Sequence, residues 1–440
     1  MNRLEMCHRM LPRNPAGLLT KGFWAVMDQG LFAVSNFLLN VLLARWLPPK
    51  EYGAFTIAFT VFLLLGTAHE ALLTEPMLVF GPSRYKERRS EYLRALLGGH
   101  WGLVIAGSLF VGICGGVIGA SGPSVLASAL LGFAAAGPVI LLLWFMRRAC
   151  YMRLEPHLAA SGGLVYLVLM VIGLFELSRH GWLSIAAALW VMGSASLITS
   201  LWLAARLRLS IRPSAPAAVA REVLRDHWGY GRWSAATMGL VWLPGNIYYL
   251  LLPVFRGLEA SGTFKALTNL ILPVQHVYTA MAILLVPALV RARGEAEFGR
   301  LTSLTLALVT AGSLAYCALL IVFHHPIMAW MYGGQYEGYI DVLWMLGFVL
   351  VASGAASILS GALRALERPD QVFWAYGLST VAVLTFGLWA TVAWGVVGAG
   401  LGLALSSAAR AAAMWAYYHR SGGSHAAPGI PRIVGATHVL

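Results

Sequence analysis

Charged side chains are scarce in this sequence: Asp, Glu, Lys and Arg make up 11% of 440 residues, while 59% of the residues are apolar. Soluble domains carry about 25% charged residues, so an ordinary soluble globule is excluded. Cysteine is scarce as well. Cys7, Cys114, Cys150 and Cys317 show no pairing pattern and no C-x-x-C spacing, which supports neither a disulfide framework nor a zinc site. There is no glycine-rich phosphate loop with its lysine, no H-E-x-x-H, and no outward acidic cluster for handling sugar nucleotides. No enzymatic activity, cofactor or metal is therefore expected, and any transport has to be coupled to an ion or driven by the substrate gradient. The basic N-terminus has no small-residue cleavage site after a short apolar core, so the first apolar stretch reads as a retained span.

What is abundant is apolar sequence in blocks of bilayer-spanning length, about 20 residues each. The spans are expected at 23–46, 52–79, 95–118, 125–145, 157–177 and 183–204, then at 233–255, 263–290, 301–323, 342–363, 372–391 and 396–417. This describes an all-α polytopic membrane protein of about twelve transmembrane helices. The net charge of +13 would suit a nucleic-acid binder, but the positions of the charges argue for topology instead. Of the 31 Lys and Arg residues, all but Arg45, Lys50, Arg179, Arg256 and Lys265 fall on one side. That side holds the N-terminal tail (Arg3, Arg9, Arg13, Lys21), alternate loops such as Arg84–Arg94 and Arg147–Arg153, the central loop, and the last helix and tail (Arg410, Arg420, Arg432). The positive-inside rule then puts both termini in the cytoplasm, where the basic surplus meets anionic membrane lipids. No nucleic-acid partner is expected. The resulting organisation is a basic tail (1–22), a six-helix half (23–204), a cytoplasmic central loop (205–232), a second six-helix half (233–417) and a cytoplasmic tail (418–440). Pro213 and Pro216 break the central loop before a surface helix expected at 218–226, and the longest outward loop, 324–341, is too short for a catalytic domain.

The two halves are related. At an offset of 209 residues, Gly22, Trp24, Gly30, Gly53 and Phe55 fall on Gly231, Trp233, Gly239, Gly262 and Phe264; with a two-residue slip, Pro76 falls on Pro287. Glycine, tryptophan and proline have position-specific roles, so these matches carry more weight than Leu on Leu. A six-plus-six repeat keeps both halves in the same orientation, with a central cavity between them, which is a transporter architecture.

Polar residues inside the spans mark the candidate pathway. In the second span Thr56, Thr60, Leu63, Thr67, Glu70 and Thr74 form one stripe at helical spacing. A carboxylate there costs roughly 2.5–3.5 kcal/mol in lipid, so Glu70 has to face protein or water. It is either a proton- or cation-binding group of the cavity or a protonated acid bonded to a neighbouring helix. In the first span Gln29, Asn36 and Asn40 share a face, with Asp28 and Ser35 beside it. Asp28 reads as a cavity residue, a helix cap or the partner of a loop arginine. In the eighth span Lys265, Thr268, Gln275, His276 and Thr279 form a similar face. Lys265 suits an anionic group such as phosphate, or snorkels outward; His276 titrates near neutral pH or is a core histidine. Glu75 is expected to pair with Arg84 or Arg88. Pro244-Gly245 and Pro273 interrupt the seventh and eighth spans, where a released carbonyl allows bending.

Several stretches resemble the polysaccharide-biosynthesis flippases of the multidrug/oligosaccharidyl-lipid/polysaccharide exporter superfamily. They are Asp28-Gln29-Gly30 through Asn36-Phe37, Leu43-Ala44-Arg45-Trp46-Leu47-Pro48, Glu51-Tyr52-Gly53, Met331-Tyr332-Gly333-Gly334-Gln335-Tyr336, Ser360 to Pro369 and Gly395-Val396-Val397-Gly398-Ala399. The resemblance covers essentially the whole chain. It implies a bacterial inner-membrane flippase that moves an undecaprenyl-diphosphate-linked oligosaccharide or polysaccharide precursor by alternating access. The implied partners are the lipid-linked glycan, a coupling cation or proton, and glycan-assembly proteins. Family cavities tend to be cationic, whereas this chain offers Lys265 and Arg45 beside acidic Asp28 and Glu70. The alternative is an ion-coupled multidrug or small-molecule exporter of the same superfamily. A major-facilitator transporter fits less well, because Gly81-Pro82-Ser83-Arg84-Tyr85 has no aspartate in the second loop. A membrane glycan polymerase or glycosyltransferase fits less well again, for want of a long outer loop.

Overall fold

Inside a bilayer every backbone N–H and C=O has to be satisfied within the chain, and apolar blocks of this length achieve that by coiling. The computed structural model describes residues 15–211, 215–293 and 296–421; among them there is no strand. Arg3, Cys7, Arg9, Arg13, Arg212, Pro213 and Arg432 lie outside the described residues. The chain forms α1 (Pro15–Trp46), α2 (Pro49–His69), a π-helical turn (Glu70–Thr74) and α3 (Glu75–Phe80). Next come α4 (Arg89–Ala120), α5 (Val125–Met152), α6 (Pro156–Arg179), α7 (Ile185–Arg206), α8 (Ala217–Arg256) and α9 (Leu258–Asn269). The remainder is α10 (Leu272–Arg291), α11 (Ala296–Val322), α12 (His324–Tyr332), α13 (Ile340–Ala365), α14 (Pro369–Ala382), a second π-helical turn (Val383–Gly387) and α15 (Leu388–Arg420).

Among the described residues, eleven stretches are long and apolar enough to cross a membrane. The last, Pro369–Arg420, has 52 residues; as a straight helix it would measure about 78 Å, far more than the roughly 30 Å hydrocarbon core. Gly395 resolves this, because its backbone takes φ 60° and ψ −126° within α15. A Cβ on Gly398 would lie 1.8 Å from the Ala390 carbonyl oxygen, although residues 390 and 398 would be about 12 Å apart along a straight helix. The chain turns back at Gly395, and the spans number about twelve, as the sequence suggests. Two other expectations change. The surface helix expected at 218–226 is the beginning of the 40-residue α8. The single span expected at 263–290 is two helices, α9 and α10, interrupted at residues 270–271 ahead of Pro273.

The described residues divide into two compact units. One comprises Met1–Leu270 with His325–Glu337, and the other Ile271–His324 with Gly338–Leu440. In the first unit, α2 and α9 approach through the repeat-related glycines. A Cβ on Gly53 would sit 1.9 Å from the Leu258 carbonyl oxygen, and one on Gly262 would sit 2.8 Å from both the Gly53 nitrogen and the Pro49 oxygen. The repeat also shows in hydrogen bonds. The Tyr52 phenol donates to Asn40 Oδ1 (3.3 Å), and at the positions 209 further on, Ser261 donates to the Tyr249 carbonyl (2.9 Å). Phe55, Phe59, Phe62 and Phe133 fill the space between α2 and α5 with stacked and tilted rings.

The segments near residues 45 and 331 meet in the same unit. The Arg45 guanidinium donates to the Trp330 carbonyl, and the Gln335 amide returns a bond to the Arg45 carbonyl (2.9 Å). The Tyr332 and Tyr336 hydroxyls donate to the carbonyls of Ala266 (2.8 Å) and Ala44 (3.4 Å). In the second unit, α13 packs against α11 and α15. Gly354 faces Val309 and Tyr278, Gly347 faces the Cys317 sulfur, and Gly400 faces the Met345 sulfur. The hydroxyls of Tyr278 and Ser313 bond to each other between α10 and α11.

Adding one methyl at Gly53 overpacks a backbone contact that cannot yield cheaply, at a cost of about 1–3 kcal/mol. Gly53→Ala is expected to lower the melting temperature of the purified protein by several degrees. Gly239→Ala, where a Cβ meets nothing within 4 Å, is expected to leave it unchanged or slightly raised.

Candidate functional site

Asp28 is fully buried, and a lone carboxylate in that position would be prohibitively costly. Its partner comes from the last turns of α5. Arg147 reaches it with both arms of the guanidinium, Nε to Oδ1 at 3.0 Å and Nη2 to Oδ2 at 2.8 Å. The Tyr151 phenol, one helical turn on, donates to Oδ2 at 2.7 Å. The far face of the guanidinium lies over the Phe32 ring, 4.4 Å from its centroid. Charge, hydrogen bonds and apolar cover are thus supplied by two helices at helical spacing: Asp28 with Phe32 on α1, Arg147 with Tyr151 on α5.

Arg148 points differently and pairs with Glu70. About a third of each of these side chains is exposed, so this pair is far weaker than the buried one. Glu70 opens the π-helical turn between α2 and α3, in which the Glu75 N–H reaches back to the Glu70 carbonyl. Such turns carry one residue more than an α-helical turn and are frequent at functional sites. The two ion pairs, with Gln29, Phe32, Thr74, Trp144 and Tyr151, line a cavity of about 170 Å³ within the first unit.

Of the residues that the sequence marks, Asp28, Gln29, Glu70 and Thr74 line this cavity. Asn36 and Asn40 belong to a separate chain of bonds. Asn40 Nδ2 donates to the Asn36 carbonyl (2.8 Å) and to Asn36 Oδ1 (3.2 Å), and the Tyr52 hydroxyl accepts from Asn269 (2.9 Å) while donating to Asn40. Thr60 and Thr67 donate to carbonyls one turn back on α2, Thr56 O at 2.7 Å and Leu63 O at 2.9 Å. The expected polar face of the eighth span is divided by the helix break. Lys265 and Thr268 lie on α9 in the first unit; Gln275 and His276 lie on α10 in the second. Lys265 is nearly buried, with Nζ 5.2 Å from the centroid of the Tyr249 ring. Among the described residues no carboxylate pairs with it. Thr268 shares a 2.8 Å bond with the Tyr249 hydroxyl. His276 is exposed rather than a core residue.

The expected pairing of Glu75 with Arg84 or Arg88 gives way to another. Glu75 accepts from the Ser234 hydroxyl and from Tyr230 (3.4 Å), both on α8. Arg84 pairs with Asp226 (2.6 Å) and Arg88 with Glu222 (3.3 Å). The physical reason is that α8 is helical from residue 217, which places its polar first turns against α3 and the start of α4. Burial, and then the bond to Asp226, push the Tyr85 phenol in the intervening loop well above its ordinary pKa.

Arg147, Arg148 and Tyr151 are site residues that the sequence reading counts only as loop charge or passes over. A signal was present, because Asp28 in an apolar block requires a cation and the Arg-x-x-x-Tyr spacing ends another block. A second missed feature is the buried pair His69–His100, with Nε2 and Nδ1 3.0 Å apart, which joins α2 to α4. The position 209 residues after His69 is Tyr278, which likewise joins its helix to the next one through Ser313.

No protein-family model matches the sequence, and no curated protein matches it. Its fold is similar to that of solved transporters. One is an inward-facing multidrug resistance MATE family transporter of the MOP superfamily, with 13% identity over 91% of this chain and 98% of that one and a TM-score of 0.73. Another is the lipid II flippase MurJ in an inward closed conformation, with 12% identity over 91% and 87% and a TM-score of 0.73. A third is a MOP superfamily transporter from Pyrococcus furiosus, with 13% identity over 92% and 96% and a TM-score of 0.63. The protein is thus a multi-pass membrane protein with the helical fold of these transporters.

Removing one partner of a buried ion pair typically costs 3–5 kcal/mol, while an exposed pair is worth roughly 0–1 kcal/mol. Arg147→Ala is therefore expected to lower thermal stability sharply or abolish accumulation in the membrane. Arg148→Ala is expected to accumulate and melt almost as the parent protein does, as read by fluorescence-detected size exclusion after graded heating.

Proposed function

We propose that this protein is a flippase that carries a lipid-linked oligosaccharide or polysaccharide precursor, of the undecaprenyl-diphosphate type, across the bacterial inner membrane. On this reading it works by alternating access with both termini in the cytoplasm. The fold supports a transporter without choosing a cargo, since it is similar both to multidrug transporters and to a lipid flippase. The observation that carries the choice is the charge state of the polar interior. Asp28 and Glu70 are each matched by an arginine, while Lys265 has no matching carboxylate among the described residues. A site for a cationic drug needs an acid to spare. With Asp28 and Glu70 already neutralised and Lys265 left over, the first unit suits an anionic diphosphate headgroup. The ion-coupled small-molecule exporter is the second reading, favoured by the weakness of the Glu70–Arg148 pair, which an incoming proton or cation would separate at little cost.

The deciding experiment is deletion of the gene, followed by assay of surface polysaccharide and of lipid-linked glycan held in the inner leaflet. Loss of polymer with accumulation of its lipid-linked precursor supports the flippase. Unchanged glycan with altered sensitivity to toxic cations moves the assignment to the exporter. In the complemented strain, Glu70→Gln and Lys265→Ala are expected to reach the membrane at parental levels and to reduce polymer export by about tenfold, a loss of about 1.4 kcal/mol. Normal export by Glu70→Gln rules out an essential carboxylate at that position.

A further inference from the structure

The π-helical turn that presents Glu70 has an identifiable cause. Pro76 has no N–H and its ring crowds the carbonyl four residues back, which is that of Leu72. The wider turn over Glu70–Thr74 takes up the crowding, but the Leu72 carbonyl is denied the N–H that residue 76 would normally supply. A side chain from another helix serves it instead: His227 Nδ1 lies 2.9 Å from the Leu72 oxygen. A carbonyl can only accept, so Nδ1 carries the proton. Nε2 then accepts from the Tyr92 hydroxyl at 2.8 Å.

The approach is prepared along the whole first part of α8. Gly231 lets the helix lie directly on the turn, since a Cβ there would be 2.9 Å from the Ala71 oxygen and 3.0 Å from the Leu72 Cα. On either side of Gly231 along α8, Asp226 holds Tyr85 and Arg84, and Ser234 holds Glu75. Tyr92 in turn is stacked on Tyr85, with ring centroids 4.3 Å apart. His227 is buried at the centre of this contact.

We propose that His227 is a positioning residue of the Glu70 site: it seats the polar arm of α8 on the carbonyl that Pro76 releases, and so fixes the turn that aims Glu70 at Arg148. The arm cannot withdraw without taking the Leu72 carbonyl's donor away, and the turn cannot be rebuilt without loosening the arm. The position of the arm and the aim of Glu70 are therefore coupled. Its bearing on transport rests on the reading of Glu70 as part of the translocation path; the contact itself is tested without any substrate.

The test is hydrogen–deuterium exchange, read by mass spectrometry on the purified full-length protein in detergent. His227→Ala is expected to speed exchange of the amides in residues 70–80 by about tenfold, with Val125–Met152 unchanged. His227→Asn keeps a donor near the Nδ1 position and is expected to match the parent. Pro76→Ala restores an N–H to the Leu72 carbonyl, so the double variant Pro76→Ala/His227→Ala is expected to return towards parental exchange. Unchanged exchange in residues 70–80 of His227→Ala overturns the proposal, and so does equal acceleration throughout α5 that Pro76→Ala fails to reverse. Should His227→Ala not accumulate, His227→Asn and His227→Gln carry the test. Only the asparagine variant is expected to resemble the parent, and identical behaviour of the two overturns the assignment.

Discussion

The buried pair of Asp28 with Arg147 is the interaction around which the first unit is arranged. A bilayer offers a carboxylate no water, and a guanidinium placed alone in the same position would be equally costly. Each is tolerated because the other is there in two-point geometry, with the Tyr151 hydroxyl on one oxygen and the Phe32 ring over the cation. These side chains tie α1 to α5. The same stretch of α5 then delivers Arg148 to Glu70 across a cavity. One pair is locked by burial and the other is exposed to exchange, although both draw on neighbouring residues of the same helix.

At three places in the first unit a glycine lets the backbones of two helices meet. Gly53 against Leu258, Gly262 against Pro49 and Gly231 against Ala71 are contacts that any side chain would separate. In an apolar solvent, burying apolar surface drives little helix association, and close packing through small residues takes over that role. The duplicated sequence uses this device in both copies, because Gly53 and Gly262 occupy equivalent positions and face the same junction. Proline has a complementary part. Pro76 forces a wider turn, and the carbonyl it releases becomes the point where another helix attaches.

The function proposed here follows from charge matching rather than from the fold. The solved structures that share this fold include both multidrug transporters and a lipid II flippase, so the fold leaves the cargo to the side chains. In the first unit Asp28 and Glu70 are each matched by an arginine, and among the described residues Lys265 is not matched by an acid, which is the balance behind the anionic cargo proposed here.

The membrane character, the helical fold, the number of spans and the internal repeat were all legible in the sequence, because they depend on properties local to the chain. Twenty apolar residues have to coil in lipid wherever they lie, and glycine and proline keep their backbone roles in either copy. Asp28 and Glu70 stood out for the same reason, since a carboxylate in an apolar block is costly whatever surrounds it. Their partners were only partly legible, since a loop arginine was one option for Asp28 but nothing singled out Arg147 or joined Arg148 to Glu70. Arg147 and Arg148 look like two more basic residues at the end of a span, and only the packing of α5 against α1 and α2 turns them inward. Glu75 illustrates the converse, since nearby loop arginines suggested a partner and α8 supplied Ser234 and Tyr230 instead. The break between α9 and α10 similarly divided a polar face that helical spacing alone makes continuous. Sequence determined which groups had to find a partner. Tertiary structure decided which partner each one found, because pairing depends on distances between helices that no periodicity within a single helix encodes.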